Sequence, residues 1–385
     1  MKRSPWRVAA AAALVAACLA TVIALFFCGL TDKNASERDF IEYWAAAHLL
    51  VQGGNPYDVG DLLRLEHSAG MAGEEARVSF SPPLVLLLAL PLAWMGAKSG
   101  LIFWLSEQFV CILAAIGVLW RLHGRSPRGY HWIGLAFAPV LACLMSGQIS
   151  IFLMLAIVLF LYWHERYPWL AGMALTSCLM KPHLFLVFGA VMILWLISRK
   201  AYGIMAGFAI TLAASCALIY CLDRQIWFRY ERFLETSRIL QVFIPTLSDC
   251  FRLLVNRNAY WLQFLPVAAS CLWSLWYFCS RRERWDWMSD GMLVLLVSVA
   301  SAPYAFFCDE SLLLTAVLAG AYRAADLGRS LIPLGLVAGA ALLEVMAGTS
   351  LISPYYLWTA PAWLGWYLYA TQRSNRIQTA GPDPA

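Results

Sequence analysis

The sequence predicts an all-α polytopic membrane protein, a bundle of about twelve transmembrane helices. Of its 385 residues, 61% are hydrophobic and only 13% are charged, whereas soluble domains carry about 25% charged residues. The apolar residues fall into blocks of roughly 15–22 residues, the length that crosses a 30 Å hydrocarbon core as a helix. No ten-residue alternating pattern, which would indicate transmembrane strands, occurs in the sequence.

The distribution of Lys and Arg predicts the orientation of the bundle. If all the basic clusters face the cytoplasm, both termini lie inside and the following spans result: 8–29, 100–120, 131–146, 149–163, 169–182, 183–198, 202–221, 259–280, 289–306, 310–324, 329–348 and 357–371. The first span follows three basic residues, as a signal peptide does. Its apolar run is longer than a cleaved core needs, so we expect a retained span.

Residues 80–97 form an apolar block that does not fit this scheme. The block opens with FSPP, is short and contains a further proline. A full crossing here would turn the arginines of 121–128 outward, so we expect a re-entrant or tilted hairpin, with thirteen spans as the alternative. The chain then forms a single domain, 1–372, with outer loops at 30–79 and 222–258 and a cytoplasmic tail at 373–385.

Several classes of protein lack support in this sequence. The eleven cysteines form no CxxC or Cys/His ligand spacing, so we expect no metal and no cofactor. The net charge of +5 is attributed to the inner loops, and we expect no nucleic-acid partner. Motifs for nucleotide binding, serine hydrolysis and zinc hydrolysis are absent from the sequence.

The first outer loop carries the most patterned polar stretch, residues 36–58. Apolar residues recur at helical spacing from Phe40 to Leu50, which predicts an interfacial helix with one apolar face. Glycines and a proline at 53–56 end that helix. Asp39 at its start has two interpretations: an N-cap, or a carboxylate that acts on a substrate held at the lipid surface.

Other polar residues at membrane depth also have two interpretations each. Gln148 forms either an interhelical hydrogen bond or a substrate contact. Lys181 either extends to the headgroups or provides a counter-charge for a phosphate. Asp309, beside Glu310, either caps the helix that begins at Ser311 or takes part in catalysis.

The second outer loop, 222–258, is rich in arginine and aromatic residues. Such a segment suits an anionic lipid headgroup, because guanidinium groups match phosphate oxygens geometrically. We therefore include Arg224, Arg229 and Arg232 among the predicted phosphate ligands. A solvated loop is the alternative.

These motifs together resemble the family 87 glycosyltransferases of the GT-C superfold. The resemblance covers about 36 to 310 and rests on the following residues: Asp39, Phe40, Tyr43 and Ala46; 53–58; 80–83; Pro91 and Leu92; Gly147 and Gln148; Lys181 and Pro182; and 301–309. Tyr57, Asp58 and His183 lie within or directly beside these segments, and we count them with Tyr43 as predicted substrate-binding residues. The best-known members carry histidines where this chain has 304–310, which leaves the donor sugar open.

The resemblance implies an inverting enzyme of the cell membrane that moves a sugar from a polyprenyl-phosphate donor to a lipid or glycan acceptor at the outer leaflet. It implies that Asp39 is the general base, that mannose is the first sugar to consider, and that no metal is required. Two other classes stay open: a transporter or flippase for a lipid-linked glycan, and a non-catalytic membrane subunit. The sequence does not predict an oligomeric state.

Overall fold

A computed structural model describes residues 35–237 and 243–372. The predicted first span, 8–29, and the predicted tail, 373–385, lie outside these residues. The described residues form helices and contain no β-strand, which confirms the all-α prediction. The α-helices are α1 (Phe40–Val51), α2 (Val59–Ser68), α3 (Val85–Ala89), α4 (Ala97–Leu122), α5 (Ala138–Ser146), α6 (Ser150–Trp163), α7 (Pro168–Thr176), α8 (Leu186–Ser198), α9 (Tyr202–Leu222), α10 (Ile226–Thr236), α11 (Leu247–Val255), α12 (Leu265–Arg281), α13 (Met292–Ala300), α14 (Leu314–Asp326), α15 (Ile332–Met346) and α16 (Thr359–Thr371).

Three helical segments of the described chain are long and apolar enough to cross a membrane. They are Ala97–Leu122, Tyr202–Leu222 and Tyr260–Arg284, the last of which joins a 3₁₀ turn, α12 and a second 3₁₀ turn. Most of the other predicted spans coincide with shorter apolar helices. The membrane character is therefore clear, while the number of crossings stays a prediction.

The proline-broken block at 80–97 folds as a short helical segment. It contains α3 and a 3₁₀ helix, Leu90–Trp94, which together extend about 17 Å. That length is about half of the hydrocarbon thickness. The segment packs against α1, where the indole of Trp44 donates a hydrogen bond to the Met95 carbonyl (2.7 Å).

Helix α1 is buried on all sides, not on the single apolar face that its sequence pattern predicts. The consecutive residues from Tyr43 to Ala47 are all buried, because α1 lies between the 80–97 segment and the first turns of α4. With twelve residues it is about 18 Å long, too short to cross the bilayer. The polar groups of Tyr43 and Trp44 on this helix are each held by a hydrogen bond to another segment.

Four basic clusters predicted to face the cytoplasm, at 121–128, 199–200, 281–284 and 323–329, meet at one end of the part of the bundle that the structure describes. Arg128 pairs with Asp326, and the guanidinium of Arg199 donates to the carbonyl of Arg282 (2.9 Å). A cavity there is lined by Arg281, Arg284 and Arg323 together with the last residues of α4. The first turns of α4, about 39 Å away along that helix, lie beside α1 at the opposite end.

Candidate active site

A cavity of about 760 Å³ lies at the end of the bundle opposite the basic clusters. Helix α1, the loop after α2 and the ends of several bundle helices enclose it. Its wall is formed by Glu37, Arg38, Asp39, Glu42, Tyr43, Ala76, Arg77, Val78, Ser79, Phe80, Ser81, Met145, Ser146, Gln148, Lys181, His183, Ile244, Tyr304, Phe306, Asp309, Ser350, Leu351 and Ile352.

Asp39 occupies the N-cap position of α1 but does not act as a cap. Its side chain accepts no hydrogen bond from the first turn of the helix. Instead, Oδ1 accepts a hydrogen bond from the Arg77 guanidinium (2.8 Å), and Oδ2 accepts one from Nε2 of Gln148 (3.1 Å). The side chain is 35% exposed, so a substrate in the cavity can reach it.

Gln148 connects the two sides of the cavity through its side-chain amide. The amide nitrogen donates to Asp39, while Oε1 accepts from the Tyr43 hydroxyl (2.9 Å) and from the Lys181 ammonium (3.0 Å). Both interpretations of Gln148 therefore have support, because it bonds across helices and also lines the cavity.

The turn before Gln148 requires a glycine. Gly147 has φ +75°, in the left-handed region that side chains disfavour. A Cβ at this position would lie 2.6 Å from Cβ of Phe40. The Gly147 and Gln148 carbonyls accept hydrogen bonds from Trp104 (2.8 Å) and Gln108 (2.8 Å) of α4. Glycine thus lets this turn approach α1, and α4 holds it there.

Lys181 and Asp309 form a buried ion pair at the base of the cavity. Their side chains are 7% and 1% exposed, and Nζ lies 2.7 Å from Oδ1. Lys181 lies between two 3₁₀ helices, Ser177–Met180 and Pro182–Phe185, because Pro182 lacks an N–H and disfavours helical geometry at the residue before it. Because the helix is interrupted at Lys181, the ammonium group of this residue points into the protein and not toward the lipid headgroups.

The two acidic residues at 309 and 310 have different partners. Asp309 accepts hydrogen bonds from the Phe306 backbone N–H (3.0 Å) and the Ser150 hydroxyl, so it caps its own helical turn and also lines the cavity. Glu310 points away and accepts from Thr359 (2.6 Å) and Trp363 (3.0 Å). Of the pair, Asp309 belongs to the site.

Four charged residues of the cavity wall, Glu37, Arg38, Glu42 and Arg77, were not identified as site residues from the sequence, and two of them, Glu42 and Arg77, interact with Asp39. Glu42 lies one turn after Asp39 on α1, a spacing that indicates a shared face. Burial, and secondly the neighbouring Asp39 carboxylate, raise the pKa of Glu42 to about 8. Arg77 belongs to the loop after α2, and no sequence pattern relates it to Asp39, 38 residues earlier.

One wall of the cavity is aromatic. The imidazole of His183 and the phenol ring of Tyr304 are in contact, with centroids 4.0 Å apart and ring planes tilted by 32°, and Phe80 and Phe306 add further ring surface. An aromatic surface beside a set of polar groups is typical of a site for a small amphipathic molecule.

The structure does not bring the remaining predicted site residues to this cavity. Tyr57 stacks on Phe233 (5.6 Å), and Asp58 caps α2. The Arg229 guanidinium donates to Asp223 (2.9 Å) and to the Gly54 carbonyl (2.7 Å). The other two predicted phosphate ligands are exposed: Arg224 lies before α10, and Arg232 lies on it.

The sequence model of glycosyltransferase family 87 matches residues 80–303 of this chain. That is more than half of its length, and the chain therefore belongs to glycosyltransferase family 87. It is a glycosyltransferase by family, which favours this function over the transporter and the non-catalytic subunit. No curated protein and no solved structure matches the chain. Gln148 and Lys181 lie inside the matched residues, whereas Asp39 and Asp309 lie outside them.

Proposed function

We propose that this enzyme transfers a hexose, with inversion, from a polyprenyl-phosphate sugar to a hydroxyl of a lipid or glycan acceptor. The observation that carries the proposal is the position of Asp39, a substrate-accessible carboxylate held by two side chains in a cavity that also contains cations. A carboxylate so placed suits a general base, and the nearby cations suit a phosphate leaving group.

In the proposed reaction, Asp39 takes the proton of the acceptor hydroxyl as its oxygen bonds to the anomeric carbon. The bond between that carbon and the phosphate oxygen breaks, and its electron pair leaves with the polyprenyl phosphate. A single displacement inverts the anomeric carbon. Glu42 is neutral at pH 7 in this scheme, because its raised pKa of about 8 keeps it protonated.

The aromatic wall is proposed to hold the sugar. The adjacent rings of His183 and Tyr304 present an aromatic surface that suits the apolar face of a hexose ring. Mannose is the first sugar to test, and this choice rests on the resemblance alone.

The cavity is proposed to open on the outer side of the cell membrane. It lies opposite the end of the bundle where the basic clusters meet, and basic loops favour the cytoplasmic side. A polyprenyl-phosphate donor in the outer leaflet would then enter directly from the lipid.

Radiolabelled transfer in detergent tests this proposal. Wild type is incubated with membrane lipids and, in turn, with a panel of polyprenyl-phosphate hexoses, beginning with mannose. We expect transfer from one of these donors and a loss of about 10²–10⁴-fold in Asp39→Asn. Glu75→Gln is the matched control, because Glu75 is an exposed acid of the same outer loop that does not line the cavity.

Two results would contradict the proposal. Failure of wild type to use any donor of the panel would reject the donor class. Near-normal transfer by a folded Asp39→Asn variant would remove Asp39 from the role of base.

A further inference from the structure

We propose that Arg77 is the residue that binds the donor phosphate, and that it leaves Asp39 to do so. The Asp39–Arg77 ion pair is then a property of the empty site, and donor binding releases the base. This inference rests on the proposed function, since it concerns the phosphate of the same donor.

Both oxygens of the Asp39 carboxylate are hydrogen-bonded to other side chains. Arg77 donates to Oδ1 and Gln148 donates to Oδ2, so each carboxylate oxygen already faces a protein donor. A general base must lie within hydrogen-bond distance of the hydroxyl that it deprotonates. Gln148 belongs to a network that includes Tyr43 and Lys181, which keeps it in place. Arg77 is the partner that can leave.

Lys181 has no donor left for a phosphate. An ammonium group has three N–H donors, and three acceptors lie around this one: Gln148 at 3.0 Å, Ser150 at 3.4 Å and Asp309 at 2.7 Å. Its charge is balanced by the Asp309 carboxylate. Lys181 therefore contributes to the field in the cavity but is not free to bind a phosphate directly.

Arg77 has the opposite properties. A guanidinium has five N–H donors, and the side chain of Arg77 uses them on one protein acceptor, Asp39, within the described residues. The side chain is 38% exposed and lines the cavity. Two N–H groups of one guanidinium match two oxygens of one phosphate. Arg77 can therefore form two hydrogen bonds with a phosphate, whereas it forms one with Asp39.

The main chain of Arg77 is held in place while its side chain is free to change partner. The Arg77 N–H donates to Oε2 of Glu66 (3.1 Å), a fully buried residue of α2. The His67 ring lies 2.7 Å from the Gly73 carbonyl and connects the same loop to α2. Glu66 is thus a positioning residue for Arg77, and the exchange requires rotation of the Arg77 side chain only.

If Arg77 exchanges Asp39 for the donor phosphate, substitutions at these two positions should change phosphate binding in opposite directions. A purely structural ion pair would not have this effect. Asp39 competes with the phosphate for Arg77, so neutralising Asp39 strengthens phosphate binding, while neutralising Arg77 weakens it. Loss of a half-exposed ion pair such as Asp39–Arg77 should change the dissociation constant of the phosphate about two- to fivefold. A charge-assisted phosphate contact corresponds to about tenfold or more.

Binding of a short isoprenyl phosphate to the purified full chain tests this inference without turnover. We expect Arg77→Gln to weaken binding about tenfold or more and Arg77→Lys to weaken it less. We expect Asp39→Asn to tighten binding about two- to fivefold, and the Asp39→Asn, Arg77→Gln double variant to bind like Arg77→Gln. The isoprenol of equal length, which lacks the phosphate, should bind all variants alike. Inorganic phosphate, as a third probe, shows whether the headgroup alone suffices.

Arg64→Gln is the matched control, because Arg64 lies in the same outer loop and pairs with Asp61 outside the cavity. Unchanged binding in Arg77→Gln, or weaker binding in Asp39→Asn, would overturn the inference. So would wild type that binds the isoprenyl phosphate no better than the isoprenol. None of these binding measurements requires sugar transfer. Their outcome is therefore distinguishable from a failure of the proposed function, which the transfer assay with the donor panel tests.

Discussion

The buried Lys181–Asp309 pair makes a quantitative prediction about stability. With the two side chains 7% and 1% exposed, removal of either charge leaves the other uncompensated inside the protein. Such a change costs about 3–5 kcal/mol of the free energy of unfolding. We therefore expect Lys181→Met and Asp309→Asn each to destabilise the protein by that amount.

The double variant, Lys181→Met with Asp309→Asn, should be more stable than the sum of its parts. It contains no unpaired charge, and the introduced amide oxygen can still accept one of the two hydrogen bonds that the Phe306 N–H and the Ser150 hydroxyl donate to different oxygens of Asp309. The remaining loss is a few hydrogen bonds, about 1–3 kcal/mol. Strict additivity would instead give about 6–10 kcal/mol, so the coupling energy is about 3 kcal/mol or more.

Unfolding in mixed micelles at increasing dodecyl sulfate, followed by tryptophan fluorescence, measures these free energies. The Arg64–Asp61 pair is the control cycle, because an exposed pair contributes about 1 kcal/mol or less. Additive losses in the double variant, or losses below about 1 kcal/mol in both single variants, would refute the argument from burial.

Three further predictions follow from single positions. Gly147→Ala should lower the midpoint of thermal unfolding and reduce transfer at least tenfold, because its Cβ meets Phe40 at 2.6 Å; Gly189→Ala, where an added Cβ meets nothing within 4 Å, should do neither. Burial raises the pKa of Glu66 from 4.5 to about 7, so its contribution to stability is fully present below the lower value and is lost as pH rises to about 7; the thermal midpoint of wild type should fall over this pH range, and that of Glu66→Gln should not. Glu42 should ionise near pH 8, so wild-type transfer should decline above that pH, and a Glu42→Gln variant that kept the same decline would exclude Glu42 as its cause.

The sequence pattern was most informative where the physical cause is local. Apolar runs predict helices because a bilayer or a buried core demands apolar side chains over a whole helix. The helix bounds near 150–163, 202–222 and 359–371 accordingly follow the predicted blocks. The motifs at 39, 148, 181 and 309 indicated a common site, and the structure does place those four residues around one cavity.

Where local pattern and tertiary packing compete, packing decides. Helix α1 was predicted to bury one apolar face, but it packs against both the 80–97 segment and α4, and the consecutive residues from Tyr43 to Ala47 are all buried. The periodicity of one helix contains no information on how many neighbours it has, so burial on both sides was not predictable. The same holds for Gly147, whose need for a missing Cβ exists only because Phe40 lies opposite.

The family, the helical architecture and the four polar motifs follow from the sequence by itself, because hydrophobicity, chain breaks and short motifs are properties of neighbouring residues. The assignment of charges to partners was decided by the tertiary structure. Arg229, in a basic aromatic segment, bonds to Asp223 and a backbone carbonyl, while Arg77, which belongs to no recognisable motif, bonds to Asp39. Ion pairs form between whichever segments the packing brings within about 3 Å, and residues 38 or 128 positions apart acquire that proximity only in the folded chain.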